Sequence, residues 1–320
     1  MFSVLTQFLT VAFRINGVHD LPILVALFKF SNAPVILKLI FFHISDSEPI
    51  NYPKLALNYV PSLIPAVAAG AVYAVLTALL FIRLFRRKTW WGLCLPIGTL
   101  CFSVGFFIRY ASAADTSNLG TFLFTQILMV ISPAAFLAFN YIVYGRLIKT
   151  FATGRNRYSL IRPEIVAKTF IISDVVTFCV QGGGGGLQGQ DDTANIGRII
   201  LLIGIIVQAL SYVMFYFILI HSHRMFSKDD KFDEYNFPWR LVHVLHFSSV
   251  FIIIRCAYRA VELVQGNNGY LLTHEIFFYM LDTIPLFFAT AIYVFFWPGQ
   301  MIDDISSRDY PLMGIRPETP

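Results

Sequence analysis

Long apolar runs alternate with short polar segments along most of the chain, and the alternation is regular from Tyr59 onward. Each run reaches the roughly 20 residues that cross the hydrocarbon core of a bilayer at 1.5 Å per residue. The predicted spans are Tyr59–Ile82, Thr89–Tyr110, Leu119–Tyr144, Ile165–Leu187, Ile196–Ile220, Arg240–Val264 and Glu275–Trp297. The pattern therefore predicts an all-α, polytopic membrane protein whose core is a bundle of seven transmembrane helices.

The first fifty residues break this regular pattern. Charged residues and a proline interrupt their two apolar patches, Met1–Phe13 and Leu21–Ile44. The second patch has the length to insert as an extra or interfacial helix, but we expect an irregular N-terminal extension over residues 1–50. Residues 51–300 are then predicted to form a single seven-span membrane domain, and residues 301–320 a short cytoplasmic tail.

The composition agrees with a lipid environment. The 320 residues are 57% hydrophobic and only 13% charged, whereas soluble domains carry about 25% charged residues. The net charge of +5 raises the question of nucleic acid, but the basic residues lie in short loops between apolar runs. That distribution is typical of membrane topology, so no nucleic-acid partner is expected.

The basic residues also predict the orientation. They concentrate in the loops after the first, third and fifth spans, whereas the alternate loops are poor in Lys and Arg. Basic loops face the cytoplasm in membrane proteins. An odd number of spans then predicts an N-terminus outside the cytoplasm and a C-terminus within it.

The fourth span contains polar residues that lipid disfavours. Asp174, Thr177 and Gln181 lie near one face of the predicted helix because seven residues make two turns. Five glycines, Gly182–Gly186, follow directly. No Gly-Lys-Ser/Thr element comes after them, so they do not form a phosphate-binding loop. We predict a close-packed helix end instead.

Further charges occupy the other spans. The sixth carries Arg255, Arg259 and Glu262 on one stripe, the seventh carries Glu275 and Asp282, and the second carries Arg109. Because intramembrane charges are costly, they are expected to converge inside the bundle. Depth along the helices, at 1.5 Å per residue, predicts an ion pair between Arg255 and Asp282. It leaves Asp174 as the less compensated acid and predicts an outer polar layer of Gln181, Arg259, Glu262 and Glu275.

Two interpretations of this polar network stay open. It holds the fourth, sixth and seventh helices together, or it lines a substrate path. His243 and His246 share one face of the sixth helix and leave a zinc membrane hydrolase as a further alternative. No carboxylate-rich motif stands beside them, so neither a metal, nor a cofactor, nor a catalytic residue is predicted.

Three stretches together resemble a known family. They are DVVTFCVQGGGGGL at 174–187, IIIRCAYRAVELVQGNNGYLLTHEIFFYMLD at 252–282, and FFWPG at 295–299. They are similar to the fungal RTA-like family of lipid-translocating exporters. The resemblance implies a seven-span protein of the plasma membrane, the vacuole or another endomembrane. It also implies movement of sphingoid bases or phospholipids between leaflets and resistance to membrane-active toxins.

The expected function is therefore lipid handling and not catalysis. The expected partners are membrane lipids, with an amphipathic cationic lipid or toxin as substrate. The predicted substrate path or polar network comprises Asp174, Thr177, Gln181, Arg255, Arg259, Glu262, Glu275, Asp282 and Arg109. The main alternative is a seven-span receptor or sensor that responds to lipid or stress without transport.

Overall fold

The computed structural model describes residues 62–114, 119–151, 163–187, 194–228, 238–265 and 269–306. These residues are almost entirely helical, and no strand occurs among them. The predicted N-terminal extension, residues 1–50, lies outside the described residues, as does most of the predicted tail.

Seven helical segments in the described part of the chain are long and apolar enough to cross a membrane. The first six are α1 Leu63–Arg87, α2 Cys94–Ala114, α3 Leu119–Phe151, α4 Pro163–Leu187, α5 Ala194–Phe226 and α6 Trp239–Gln265. They confirm the predicted seven-span fold of an integral, multi-pass membrane protein. The largest differences are at α3 and α5, each 33 residues long, which continue for about two turns past the predicted ends.

The seventh span is not one continuous α-helix. It runs from Glu275 to Phe295 and is preceded by a four-residue helix. The segments are α7 Tyr270–Thr273, α8 Glu275–Phe277, a π-helical turn Phe278–Thr283, α9 Ile284–Phe295 and, beyond the span, α10 Pro298–Ser306.

Pro285 accounts for the change in helical pitch within the seventh span. It has no N–H to donate to the carbonyl of Leu281, and its ring clashes with that carbonyl in an ideal α-helix. The backbone widens into the π-helical turn immediately before it. Thr283 lies in this turn, and its carbonyl accepts a hydrogen bond of 2.8 Å from Tyr73 Oη of α1. The wider turn also contains Asp282, so it sets the direction of the most buried acid in the bundle.

Consecutive spans pack against each other, and the seventh span returns to α1. We call the end at which α1, α3 and α5 finish the basic end, because the Lys- and Arg-rich loops follow there. At the opposite end, the backbone N–H of Ser62 donates to Glu275 Oε2 over 2.8 Å. At the basic end, Trp297 Nε1 donates to Thr89 Oγ1 over 2.7 Å. The first and last spans are therefore joined by hydrogen bonds at both ends.

The glycines of α4 permit a close approach to α5. A Cβ atom built at Gly184 would lie 2.7 Å from the backbone of Gly197 and of Leu201. By contrast, a Cβ atom at Gly182 or Gly183 meets nothing within 4 Å. The prediction of a close-packed helix end is confirmed, and of Gly182, Gly183 and Gly184 only Gly184 requires it.

Two neighbouring alanine substitutions are expected to change stability in opposite directions. Gly184→Ala forces the backbones of α4 and α5 apart, at a cost of about 1–3 kcal/mol typical of overpacking. Gly183→Ala fills open space and gains up to about 1 kcal/mol of helix propensity. Thermal unfolding of the purified protein in detergent measures both. Equal midpoints for the two variants would contradict the close contact at Gly184.

Candidate functional site

Asp282 is the most deeply buried acid in the described part of the chain, with no exposed surface. Its Oδ1 accepts a hydrogen bond of 2.8 Å from Arg259 Nε and lies 3.1 Å from Arg255 Nε. The predicted contact between Arg255 and Asp282 is therefore present. Arg259, expected further out, reaches the same oxygen, so one carboxylate lies between two guanidinium groups.

Glu262 completes this group and balances its charge. Arg259 Nη1 donates to Glu262 Oε2 over 3.0 Å, and Tyr258 Oη donates to Glu262 Oε1 over 3.0 Å. The contact between Arg259 and Glu262 follows from their spacing of three residues on one helix. Two arginines and two carboxylates leave no net charge. We call Arg255, Arg259, Glu262 and Asp282 the charged cluster.

A second ion pair lies nearer the opposite end. Arg109 Nη2 of α2 is 3.4 Å from Glu275 Oε1. Phe278 connects this pair to the charged cluster, because its ring faces Arg109 Cζ at 4.8 Å and Arg259 Cζ at 5.4 Å. Each such cation–π contact contributes about 0.5–2 kcal/mol, more where the groups are shielded from water. Six of the predicted residues are thereby brought into one connected region of α2, α6 and the seventh span.

Asp174 is separate from that region and has a different environment. It is only 4% exposed, and its Oδ2 accepts a hydrogen bond of 3.1 Å from Tyr141 Oη of α3. Its Oδ1 is buried without a hydrogen-bond partner among the described residues. No ion pair to Asp174 occurs in the same part of the chain. The described residues thus compensate this acid with one neutral hydroxyl.

Thr177 and Gln181 lie on the same buried face of α4 as Asp174, but neither donates a hydrogen bond to its carboxylate. The Thr177 hydroxyl donates to the backbone carbonyl of Asp174 over 3.0 Å, and Gln181 Nε2 donates to Gln208 Oε1 of α5 over 2.9 Å. Gln181 therefore bonds to α5 and has no hydrogen bond to Arg259, Glu262 or Glu275 among the described residues, although all four were predicted to share an outer layer. Depth orders side chains along a helix but does not say which helices are neighbours, and α4 packs mainly on α3 and α5.

A buried polar centre that the sequence analysis missed surrounds Asn140 of α3. Asn140 Nδ2 donates to Tyr212 Oη over 2.9 Å and to Ser248 Oγ over 3.1 Å. Its Oδ1 accepts a hydrogen bond of 2.7 Å from Tyr293 Oη. The signal was available, because an amide inside the apolar third span requires buried partners. This centre joins α3, α5, α6 and the seventh span, and it fixes α3 at the residue before Tyr141.

The buried acids differ in whether their carboxylates are already paired with a cation. The carboxylates of the charged cluster and Glu275 already contact arginines, whereas no arginine contact to Asp174 occurs among the described residues. A cationic group that approaches Asp174 would therefore gain a charge partner in a water-poor setting without displacing an existing ion pair. Among the described residues, no group of three His, Cys, Asp or Glu side chains is arranged to hold a metal ion. The zinc hydrolase alternative has no candidate centre in that part of the chain.

Loss of the Asp282 charge is expected to destabilise the protein strongly. Asp282→Asn keeps the shape but leaves buried Arg255 without its carboxylate and Arg259 with Glu262 alone, and breaking a buried ion pair costs about 3–5 kcal/mol. Adding Arg259→Gln removes the surplus charge, so the double variant should be more stable than the sum of the single effects. Thermal unfolding of all four forms gives this coupling. Additive effects would show that the contacts between Arg259 and Asp282 are energetically unimportant.

Comparison with known proteins agrees with the seven-span fold and with the sequence motifs. The family model described as RTA1 like protein matches residues 95–305. The chain is 26% identical over 197 residues to Protein RTM1 of Saccharomyces cerevisiae, covering 60% of this chain and 62% of that one. It is 28% identical over 200 residues to Protoporphyrin uptake protein 1 of the same organism, covering 60% and 64%.

A longer match is to the Sphingoid long-chain base transporter RSB1 of Saccharomyces cerevisiae. The chain is 25% identical to it over 288 residues, which cover 78% of this chain and 75% of the relative. The matches to Protein RTM1 and to Protoporphyrin uptake protein 1 cover less than two thirds of those proteins. No solved structure matches the chain at a significant level. Because the family match covers well over half of its residues, this chain belongs to the RTA1 like protein family.

Proposed function

We propose that this protein translocates or exports amphipathic lipids within the membrane and thereby confers resistance to membrane-active toxins. The observation that carries the proposal is Asp174, a buried carboxylate that has one neutral hydrogen-bond donor and no ion-pair partner among the described residues. A cationic headgroup is the natural ligand for such an acid, and the apolar chain of the same molecule would remain in the bilayer. The proposal assigns no chemical step to the protein.

The proposed substrate class rests on the difference between Asp174 and the acids that are paired with arginines, and on one relative. The family includes a protein named as a sphingoid long-chain base transporter, and a sphingoid base joins an amine to a long apolar chain. In α4, Ile172 and Val176 flank Asp174 in sequence and are 41% and 47% exposed. Because residues two apart point to different faces of a helix, these exposed side chains mark the lipid side of α4, and a headgroup would reach Asp174 past the edge of that helix. The charged cluster would act as a rigid support beside this path.

Removal of the Asp174 charge is expected to abolish transport without unfolding the protein. Asp174→Asn keeps the volume and an oxygen that accepts from Tyr141, but it removes the partner for an amine. Efflux of a labelled sphingoid base should fall at least about tenfold, since a barrier raised by about 1.4 kcal/mol already lowers a rate tenfold. The measurement uses liposomes that contain the purified protein, with the base loaded inside.

Tyr141→Phe is the matched control for this experiment. It removes the hydrogen bond to Asp174 and keeps the carboxylate, so efflux should persist. Unchanged efflux in Asp174→Asn would remove Asp174 from the transport path. An equal loss in both variants would assign the pair a structural role. If the liposomes show no efflux while a labelled base binds, the sensor alternative is favoured.

We also infer that the basic end faces the cytoplasm, with the N-terminus outside and the C-terminus inside. Basic residues at that end, such as Arg86, support this orientation. Plasma membrane, vacuole or another endomembrane is the expected location. In a variant whose four cysteines are replaced, an impermeant maleimide applied to sealed vesicles with their cytoplasmic face outward should label Arg86→Cys. It should not label Tyr270→Cys, and the reverse pattern would invert the topology.

A further inference from the structure

A cavity of about 550 Å³ opens at the basic end between α5 and α6. It is well away from Asp174 and from the charged cluster, which lie deeper in the bundle. Its polar lining consists of His223, Arg224, Ser227, Lys228, His243 and His246. Among the described residues, none of those that line it is acidic. Such a surface attracts an anion and has no role in the path proposed above.

The three histidines are held in fixed positions within the cavity. His223 Nδ1 lies 2.9 Å from His246 Nε2, so these rings share one proton between them. His243 Nδ1 lies 2.7 Å from the carbonyl of Trp239. A carbonyl accepts only, so His243 carries its proton on Nδ1 and turns Nε2 away from the backbone. The rings therefore form a rigid polar wall for a ligand.

The neighbouring charges favour an anion over a metal ion. Arg224 and Lys228 are exposed at the mouth of the cavity, and their permanent positive charge would repel a cation. A guanidinium binds two phosphate oxygens at once, and an ammonium adds a point charge. The Ser227 hydroxyl offers a further donor. Together these groups provide the contacts that a phosphate monoester requires.

The surface that continues from the cavity is suited to the acyl chains of a lipid. On α5, Phe217 and Leu210 lie seven and fourteen residues before Arg224, so they share its face of the helix. They are 66% and 62% exposed. On α6, Phe247 and Val250 follow His243 along one exposed stripe. A soluble anion has no apolar part that would contact these stripes. A lipid would lay its acyl chains on them with its headgroup in the cavity.

We propose that this cavity binds the phosphate headgroup of an anionic membrane lipid, with a phosphomonoester preferred over a phosphodiester. Its acyl chains lie along the exposed stripes of α5 and α6. The binding is independent of the transport function proposed above. Basic pockets between transmembrane helices are suited to such headgroups because they stand at the depth of the lipid phosphates.

The test uses the full chain in lipid nanodiscs and phosphatidic acid with a photoreactive group on an acyl chain. Crosslinks are expected on α5 and α6. Arg224→Gln with Lys228→Gln should weaken crosslinking at least about tenfold in apparent affinity, as expected for the loss of two charged hydrogen-bond partners. Arg86→Gln with Arg87→Gln is the matched control, because it removes two exposed charges from the same end of the bundle. The control should change affinity by less than about twofold, since those charges lie outside the site.

Three results would overturn the proposal. An equal loss of crosslinking in both double variants would mean that surface charge attracts the lipid in general and that the cavity does not bind it specifically. Phosphatidylserine that competes as well as unlabelled phosphatidic acid would remove the phosphomonoester preference. Inorganic phosphate that displaces the probe at equal concentration would show a site for free phosphate. All variants change exposed side chains, so size-exclusion chromatography is expected to show folded protein in each case.

Discussion

A charge inside a lipid-embedded bundle is tolerated only where another charge or several hydrogen bonds compensate it. In this protein the constraint acts most strongly at Asp282, whose Oδ1 lies within 3.1 Å of two arginine nitrogens. That contact fixes the register of α6 against the seventh span. It also depends on the π-helical turn before Pro285, which gives the carboxylate its direction. The ion pair of Arg109 with Glu275 extends the same compensation to α2 and α1.

Asp174 departs from that rule, and the departure gives the fold a functional interpretation. The neutral centre at Asn140 satisfies its amide with tyrosine and serine hydroxyls from three other helices. It holds α3 rigid beside Tyr141, the donor to Asp174. Among the described residues the bundle thus has a neutral polar centre, a cluster of paired charges, and one further buried acid, Asp174, without an ion-pair partner. A rigid frame around a single poorly compensated group is the arrangement that a binding site for a cation needs.

The sequence was sufficient for the fold and for part of the site. Apolar runs of spanning length predicted all seven spans, and depth along the helices predicted the contact of Arg255 with Asp282. The sequence was insufficient where a contact depends on which helices pack side by side. Gln181 pairs with Gln208 because α4 packs on α5, and no count along a helix contains that information. The hydroxyls around Asn140 were missed because Tyr and Ser are common in apolar spans. Arg259 reaches Asp282 because the seventh span widens locally, which helical periodicity alone does not predict.

The contacts between the two ends of the chain also constrain the order in which the protein assembles. Ser62 with Glu275, Tyr73 with Thr283, and Thr89 with Trp297 are separated by 213, 210 and 208 residues. During synthesis α1 enters the membrane long before its partners in the seventh span exist. It can pack on α2 meanwhile, but the capping of its first turn and the hydrogen bond from Tyr73 must wait for the last helix. Because the seventh span is synthesised last, a nascent chain spends most of its synthesis with Ser62 and Tyr73 lacking these partners.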